Sequence, residues 1–280
     1  MLTAIACLTG LAATIVCLRA ASQLRGTTLT APCAWAAAAL GLVTCAAGAR
    51  VMAGDSSRAD WTVHVDYLAG VTTLAPFAAL LGAKRPQDRA WQLIVAALVA
   101  LFAFQDFRTW AIDPSTSPTP HAAWRWLATG LVVMQLLNYL ATRHAASACL
   151  AFAGQVCLLG DNLAVWSGEL GEPIPYGLLL VSAAVFMAAL RERRTYRRSA
   201  DAQRAWLEFR DRYGALWALR VAERVNAVAA QQRSRLRLGW SGFRHEEFEN
   251  EQQADSSLSP DADPIHKTLQ AILARFLRGG

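Results

Sequence analysis

The sequence predicts an all-α membrane protein, a bundle of seven transmembrane helices followed by a small, mainly helical C-terminal region. Three observations predict it. Apolar residues make up 54% of the 280 residues and charged residues only 17%, against about 25% charged in an ordinary soluble domain. The apolar residues fall in long blocks rather than at amphipathic spacing, and a block of about 20 residues crosses a bilayer as a helix. A basic run, Arg191-Glu192-Arg193-Arg194-Thr195-Tyr196-Arg197-Arg198, follows the last block, as a cytoplasmic flank does. In lipid the backbone must satisfy its own hydrogen bonds, which makes the blocks helices. The Ala and Leu richness and the weak alternation argue against a β-barrel.

The seven blocks cover residues 2–20, 32–50, 63–83, 91–111, 122–142, 145–165 and 174–190. No basic residue precedes the first, and Arg19 follows it. A cleaved signal carries its charge first, so this is read as an uncleaved helix with its N-terminus outside. In the second, Ala37, Gly41 and Cys45 lie four apart, with Gly48 close by. Small residues at that spacing let helices approach closely, within one bundle or across a homodimer face. Pro76 falls inside the third and is expected to kink it. The fifth and sixth are joined only at Arg143-His144, as in an antiparallel hairpin, and Pro173 and Pro175 introduce the seventh.

Charge supports that count. With the N-terminus outside, the inner loops hold Arg19 and Arg25, then Lys84, Arg85 and Arg89, then Arg143. The outer loops hold Arg50, Asp55, Arg58 and Asp60, then Asp113, then Glu169 and Glu172. Basic residues thus favour one side, which the positive-inside rule makes cytoplasmic. Dropping a span would put the Arg-rich run on the other side. Trp61, Trp110, Trp124, Trp126, Trp166 and Tyr176 mark outer ends, and Trp35 and Trp91 inner ones. All six cysteines fall inside the blocks without a C-x-x-C pair. They read as small apolar residues, not as a disulfide framework or zinc site.

Residues 191–244 carry 14 Lys+Arg against five Asp+Glu. Such a juxtamembrane region suits anionic lipid headgroups, and this role accounts for the charge without nucleic acid. Trp206, Phe209, Tyr213, Leu216, Trp217, Val221, Val225 and Val228 recur at helical spacing, predicting an amphipathic helix over about 200–230 that bends at Gly214. Its aromatics Trp206, Phe209, Tyr213 and Trp217 are candidates for docking a protein partner or the membrane surface, or for the tail's own core. Leu236, Leu238 and Trp240 alternate as in a short strand. Residues 245–263 hold seven acids and no Lys or Arg, a flexible acidic linker. A last helix is expected from Pro264 to Leu277, with Asp263 as its N-cap and Ile265, Leu269, Ile272, Leu273 and Phe276 on one face.

The tail stretch Phe209-Arg-Asp-Arg-Tyr-Gly-Ala-Leu-Trp-Ala-Leu-Arg-Val-Ala-Glu-Arg-Val-Asn226 resembles the tails of uncharacterised bacterial multi-pass membrane proteins. The resemblance covers about a tenth of the chain. It implies a bacterial inner-membrane protein and no particular activity.

Polar residues inside a membrane are costly and so mark candidate sites. His64 and Asp66 start the third span, Asp106 and Arg108 end the fourth, His121 and Arg125 start the fifth, and Asp161 and Asn162 end the sixth. All lie toward the outer half and could line a ligand cavity. Deeper, Gln135, Asn138 and Gln155 suggest an amide network between the fifth and sixth spans. No P-loop, nucleophile elbow, dinucleotide glycine motif or His-Glu-x-x-His occurs, so no catalytic residue, metal or cofactor is expected. The leading expectation is a receptor-like or scaffold protein. A transporter or accessory subunit comes second, and an intramembrane metal-dependent enzyme using the outer His/Asp set comes third.

Overall fold

The computed structural model describes residues 1–53, 61–83, 89–112, 120–164, 173–193, 202–232, 234–245 and 262–277. The described chain is helical apart from one hairpin. Its bundle consists of α1 (Leu2–Gln23), α2 (Thr30–Ala53), α3 (Trp61–Thr72), α4 (Ala75–Leu81), α5 (Arg89–Ile112), α6 (Ala122–Leu140), α7 (Ala145–Leu159) and α8 (Pro173–Arg193). The tail comprises α9 (Ala202–Gln231), the antiparallel pair β1 (Leu236–Gly239) and β2 (Gly242–His245), and α10 (Ala262–Leu277).

Among the described residues, and with α3 and α4 taken together, five helices are long and apolar enough to cross a membrane: Leu2–Gln23, Thr30–Met52, Trp61–Leu81, Ala90–Ile112 and Ile174–Glu192. The expectation was seven. The helices at the fifth and sixth predicted spans exist as α6 and α7 but fall short for physical reasons. Arg125, Gln135 and Asn138 dilute α6. The 15 residues of α7 reach only about 22 Å, before a 3-10 turn over Gly160–Asn162. The two are joined by the tight turn the sequence implied, closed by Thr142 N–H to the Tyr139 carbonyl and Ala145 N–H to the Thr142 carbonyl.

The third predicted span is two helices, not one kinked helix. Pro76 has no N–H to return to the Thr72 carbonyl. The Thr73 and Leu74 amides turn back three residues, to Gly70 and Val71. This broken element is the centre of the bundle. It packs on α2, α5 and α7, and α1 and α8 close the ring between α2 and α7. Outward-facing side chains are large and apolar: Ile5, Leu8, Leu11, Ile15 and Leu18 along α1, Leu93, Leu101 and Phe104 on α5, and Met134 and Leu137 on α6. Their three-to-four spacing on α1 is a helix stripe facing away from the core, the inverse of a soluble helix.

Close helix contacts do not fall where the α2 pattern placed them. Ala37 is buried, but Cys45 is exposed, and a Cβ at Gly41 or Gly48 would meet nothing within 4 Å. Glycines on other helices make the intimate contacts: a Cβ on Gly10 of α1 would sit 2.4 Å from Thr44 Oγ1 of α2, and one on Gly154 of α7 would sit 2.9 Å from the Gly177 carbonyl oxygen and 2.6 Å from Val181 Cγ2 of α8.

The tail packs onto one end of this bundle. Trp206, Phe209, Tyr213, Trp217, Val221 and Val225 of α9 share a core with Leu236 and Leu238 of β1 and Ile265, Leu269, Leu273 and Phe276 of α10, and that core continues into Phe77 and Leu80 of α4. The single strand expected near Leu236 has a partner, β2. Asn226 acts as a further edge for β1, its amide accepting from Leu238 N–H at 2.7 Å and donating to the Leu238 carbonyl at 3.0 Å. Helix α10 starts two residues before Pro264, so Asp263 stands in its first turn rather than at its cap. Most of the Arg-rich run, residues 194–198, and most of the acidic segment, residues 246–261, lie outside the described residues.

Candidate functional site

Three polar layers run from the end of the bundle bearing His64 to the end that holds the tail. In the first, His64 Nδ1 of α3 lies 2.6 Å from Asp106 Oδ1 of α5, both buried. Asp66, one helical step further, pairs with Arg50 at the end of α2. Arg50 Nε donates to Asp66 Oδ2 at 2.7 Å and Nη2 donates to the same oxygen. Asp66 Oδ1 is left buried with no hydrogen-bond partner. Arg125 Nη2 donates to the Leu163 carbonyl at 2.7 Å, and the Thr129 hydroxyl below it accepts from Ala164 N–H at 2.9 Å. Arg125 Nε and Asn162 Oδ1 are both buried without partners.

The structure therefore gathers His64, Asp66, Asp106, Arg125 and Asn162 at one end of the bundle, around α3. It leaves Arg108 exposed. His121 is exposed as well and serves as the N-cap of α6, accepting from Ala123 N–H at 3.3 Å. Asp161 lies in the 3-10 turn with its side chain outside the described residues. Sequence reading passed over Arg50 as one charge of a mixed loop. Its spacing from Asp66 carries no local signal, because the contact joins two helices. Among the described residues, no three His, Cys, Asp or Glu side chains come together as a metal site.

The second layer sits at the break between α3 and α4. Gln155 Nε2 of α7 donates to the Thr73 carbonyl at 2.9 Å and to Gln135 Oε1 of α6 at 3.2 Å. The amide thus takes a carbonyl that a continuous helix would have bonded internally. Its Oε1 is buried without a partner. The expected three-amide network is a pair, for Asn138 lies about a turn away and holds the tail.

The third layer is that dock. At Gly214 the backbone of α9 leaves the helix, with φ 77° and ψ −174°. Asn138 Oδ1 accepts from Leu216 N–H at 2.9 Å, and its Nδ2 donates to the Tyr213 carbonyl at 3.3 Å. Tyr139 donates to the Arg212 carbonyl at 3.0 Å, and Trp217 Nε1 donates to the Leu80 carbonyl at the end of α4 at 2.9 Å. The Tyr213 hydroxyl lies 2.7 Å from Thr28 Oγ1 and donates to the Phe276 carbonyl at 3.3 Å. Burial pushes the Tyr213 phenol up to about 12. Beside the dock, Glu192 bridges Arg143 at 2.7 Å and Arg212 at 2.5 Å, and Asp211 pairs with Arg210 at 2.8 Å. His144, in the turn among them, is held below the usual imidazole range by burial and by Arg143.

The candidate docking aromatics Trp206, Phe209, Tyr213 and Trp217 are consequently taken up inside the chain. Phe209 stacks on Tyr213 at 4.6 Å, and Phe276 meets Phe209, Tyr213 and Trp217 edge-on. Their helical stripe was legible, but the surface covering it comes from remote parts of the chain. No protein-family model, curated protein or solved structure matches this chain.

Proposed function

We propose that the protein is a receptor-like membrane protein of seven helices, lying in a bacterial inner membrane with its N-terminus outside and its tail at the cytoplasmic face. The layer around His64, Asp66 and Asp106 receives a ligand, and the tail reports it. One observation carries this reading. Two of the elements that bear the outer polar residues also grip the tail at their other ends. The broken third element runs from His64 to the Leu80 carbonyl that Trp217 holds, and α6 runs from Arg125 to the Asn138 pair on Gly214. Along α6 a change at one end has a continuous path of helix to the other, and along the third element a path that crosses the break at Thr73.

The test is amide hydrogen exchange on the full chain in lipid nanodiscs. Asp66→Asn and His64→Asn are expected to raise exchange in residues 236–245 and 265–276, which neither side chain touches. Leu137→Ala, on the lipid-facing side of α6, is the control and leaves both segments unchanged. Unchanged exchange in all three variants would reduce the protein to a scaffold.

A transporter is the second reading, favoured by the break between α3 and α4 with buried amides around it, since discontinuous helices line transport sites near the bilayer centre. Solute flux in proteoliposomes that Gln155→Leu abolishes would move the assignment to transport.

A further inference from the structure

We infer that the outer layer takes a cationic amine, its ammonium seated between Asp66 and Asn162 on the seam between α3 and α7. This rests on the reading that the layer receives a ligand.

Two contacts fix the register of the seam. A Cβ on Gly70 would stand 3.0 Å from the Leu158 carbonyl oxygen and 3.0 Å from Leu159 Cδ2. Three residues on, the Thr73 carbonyl meets the side chain of Gln155, three residues earlier on α7. The helices run antiparallel, so one turn further out Asp66 comes level with the 3-10 turn that continues α7 and ends at Asn162. Both present buried oxygens without hydrogen-bond partners, Oδ1 in each case.

The chemistry of the missing partner follows. Arg50 directs both of its bonds to Asp66 Oδ2, so half of a buried carboxylate remains undonated. Leaving such an oxygen bare is costly. A carboxylate or phosphate ligand would bring lone pairs to lone pairs. An apolar ligand would leave the oxygens as they are. A bare alkali or alkaline-earth cation wants about six oxygens, and this level of the seam supplies two. A primary ammonium brings three N–H donors and a positive charge, and its bonds to a carboxylate are of the strong, charge-assisted kind. Arg125 Nε, the unpartnered donor of the layer, offers one N–H against those two acceptors.

The experiment is calorimetric titration of the full chain in nanodiscs at constant ionic strength. The probes are n-butylammonium, tetramethylammonium, sodium and acetate. Butylammonium is expected to bind, whereas tetramethylammonium, which has no N–H, and sodium are not. Asp66→Asn should weaken butylammonium at least about tenfold. Asn162→Asp should tighten it, a gain that misfolding cannot produce.

Binding of tetramethylammonium or sodium as strong as that of butylammonium overturns the inference. So does an Asn162→Asp variant with unaltered affinity, or no binding of butylammonium. The two readings fail separately. Acetate binding lost in Asp66→Asn would sink the amine and keep the receiving site. Tail exchange that ignores Asp66 and His64 would sink the receptor reading while leaving measured amine binding in place.

Discussion

Gly214 holds a φ of 77° with ψ near −174°, a region essentially reserved for glycine. A Cβ there would also lie 2.1 Å from Asn138 Nδ2 and 2.7 Å from the Asn138 carbonyl oxygen. Gly214→Ala is therefore expected to cost about 1–3 kcal/mol in backbone strain alone and to push α9 off α6, lowering the melting temperature and speeding exchange in α10. Asn138→Leu keeps the bulk but strands the Tyr213 carbonyl and the Leu216 amide, at about 1–3 kcal/mol. His144 supplies a pH dependence. Its pKa is lowered in the folded protein, so the unfolded chain binds more protons, and the contribution is full above the ordinary value of about 6.5 and lost as pH falls below it. Melting from pH 8 down to pH 5 should show that loss in the wild type, and His144→Gln should lessen it. The glycine was legible as a bend in an amphipathic stretch, and the buried acids and histidine stood out against apolar blocks. Asn138's partner was not legible, because only the folded chain brings residue 214 beside it.

At the scale of elements, the break between α3 and α4 and the helix α6 do most to join the two ends. Pro76 marked the third span as bent, but the completeness of the break depends on Gln155 supplying a bond from another helix. Gln155→Leu removes that donor and leaves the Thr73 carbonyl bare in the bundle centre, so a loss of about 1–3 kcal/mol is expected. Thermal denaturation measures it, and a variant as stable as wild type would show that the Thr73 carbonyl finds another donor. Helix identity in the bundle was readable from hydropathy because lipid demands long uninterrupted apolar faces. The extents of α6 and α7 were not, since polar residues that look like interruptions find partners on neighbouring elements: Arg125 Nη2 the Leu163 carbonyl, Asn138 the backbone of α9. The tail shows the same division. Alternation at Leu236 and Leu238 announced a strand, whereas β2 offers only Gly242-Phe243-Arg244-His245 and is a strand because β1 and α9 pack beside it.

For the whole molecule, the apolar stripe on α1 and the outward-facing side chains of α5 and α6 describe a girdle suited to lipid, and the tail closes the bundle end where α4 and α6 finish. The proposed orientation rests on charge. Arg143 and Arg191, close enough for Arg191 Nη1 to donate to the Arg143 carbonyl, sit at the tail end together with Arg210 and Arg212. Arg50, Arg108 and Arg125 lie at the opposite end, Arg50 on Asp66, Arg125 on the Leu163 carbonyl and Arg108 exposed. Under the positive-inside rule, an excess of Arg beside the tail supports the cytoplasmic placement proposed for it. With the six native cysteines replaced, Ser117→Cys should react with a membrane-impermeant maleimide on intact cells, and Ser257→Cys only after lysis. The two positions fall on opposite sides only if an odd number of crossings separates them. With seven crossings, Ser117 follows the fourth and Ser257 the seventh, which leaves three between them. Were α6 and α7 a re-entrant hairpin rather than two crossings, the count between them would be one, and the labelling pattern would be the same. A third site at the α6–α7 turn decides this, since Ala141→Cys reacts after lysis and not before only when α6 crosses fully, and a turn that reacts from outside, or from neither face, would leave five crossings instead of seven.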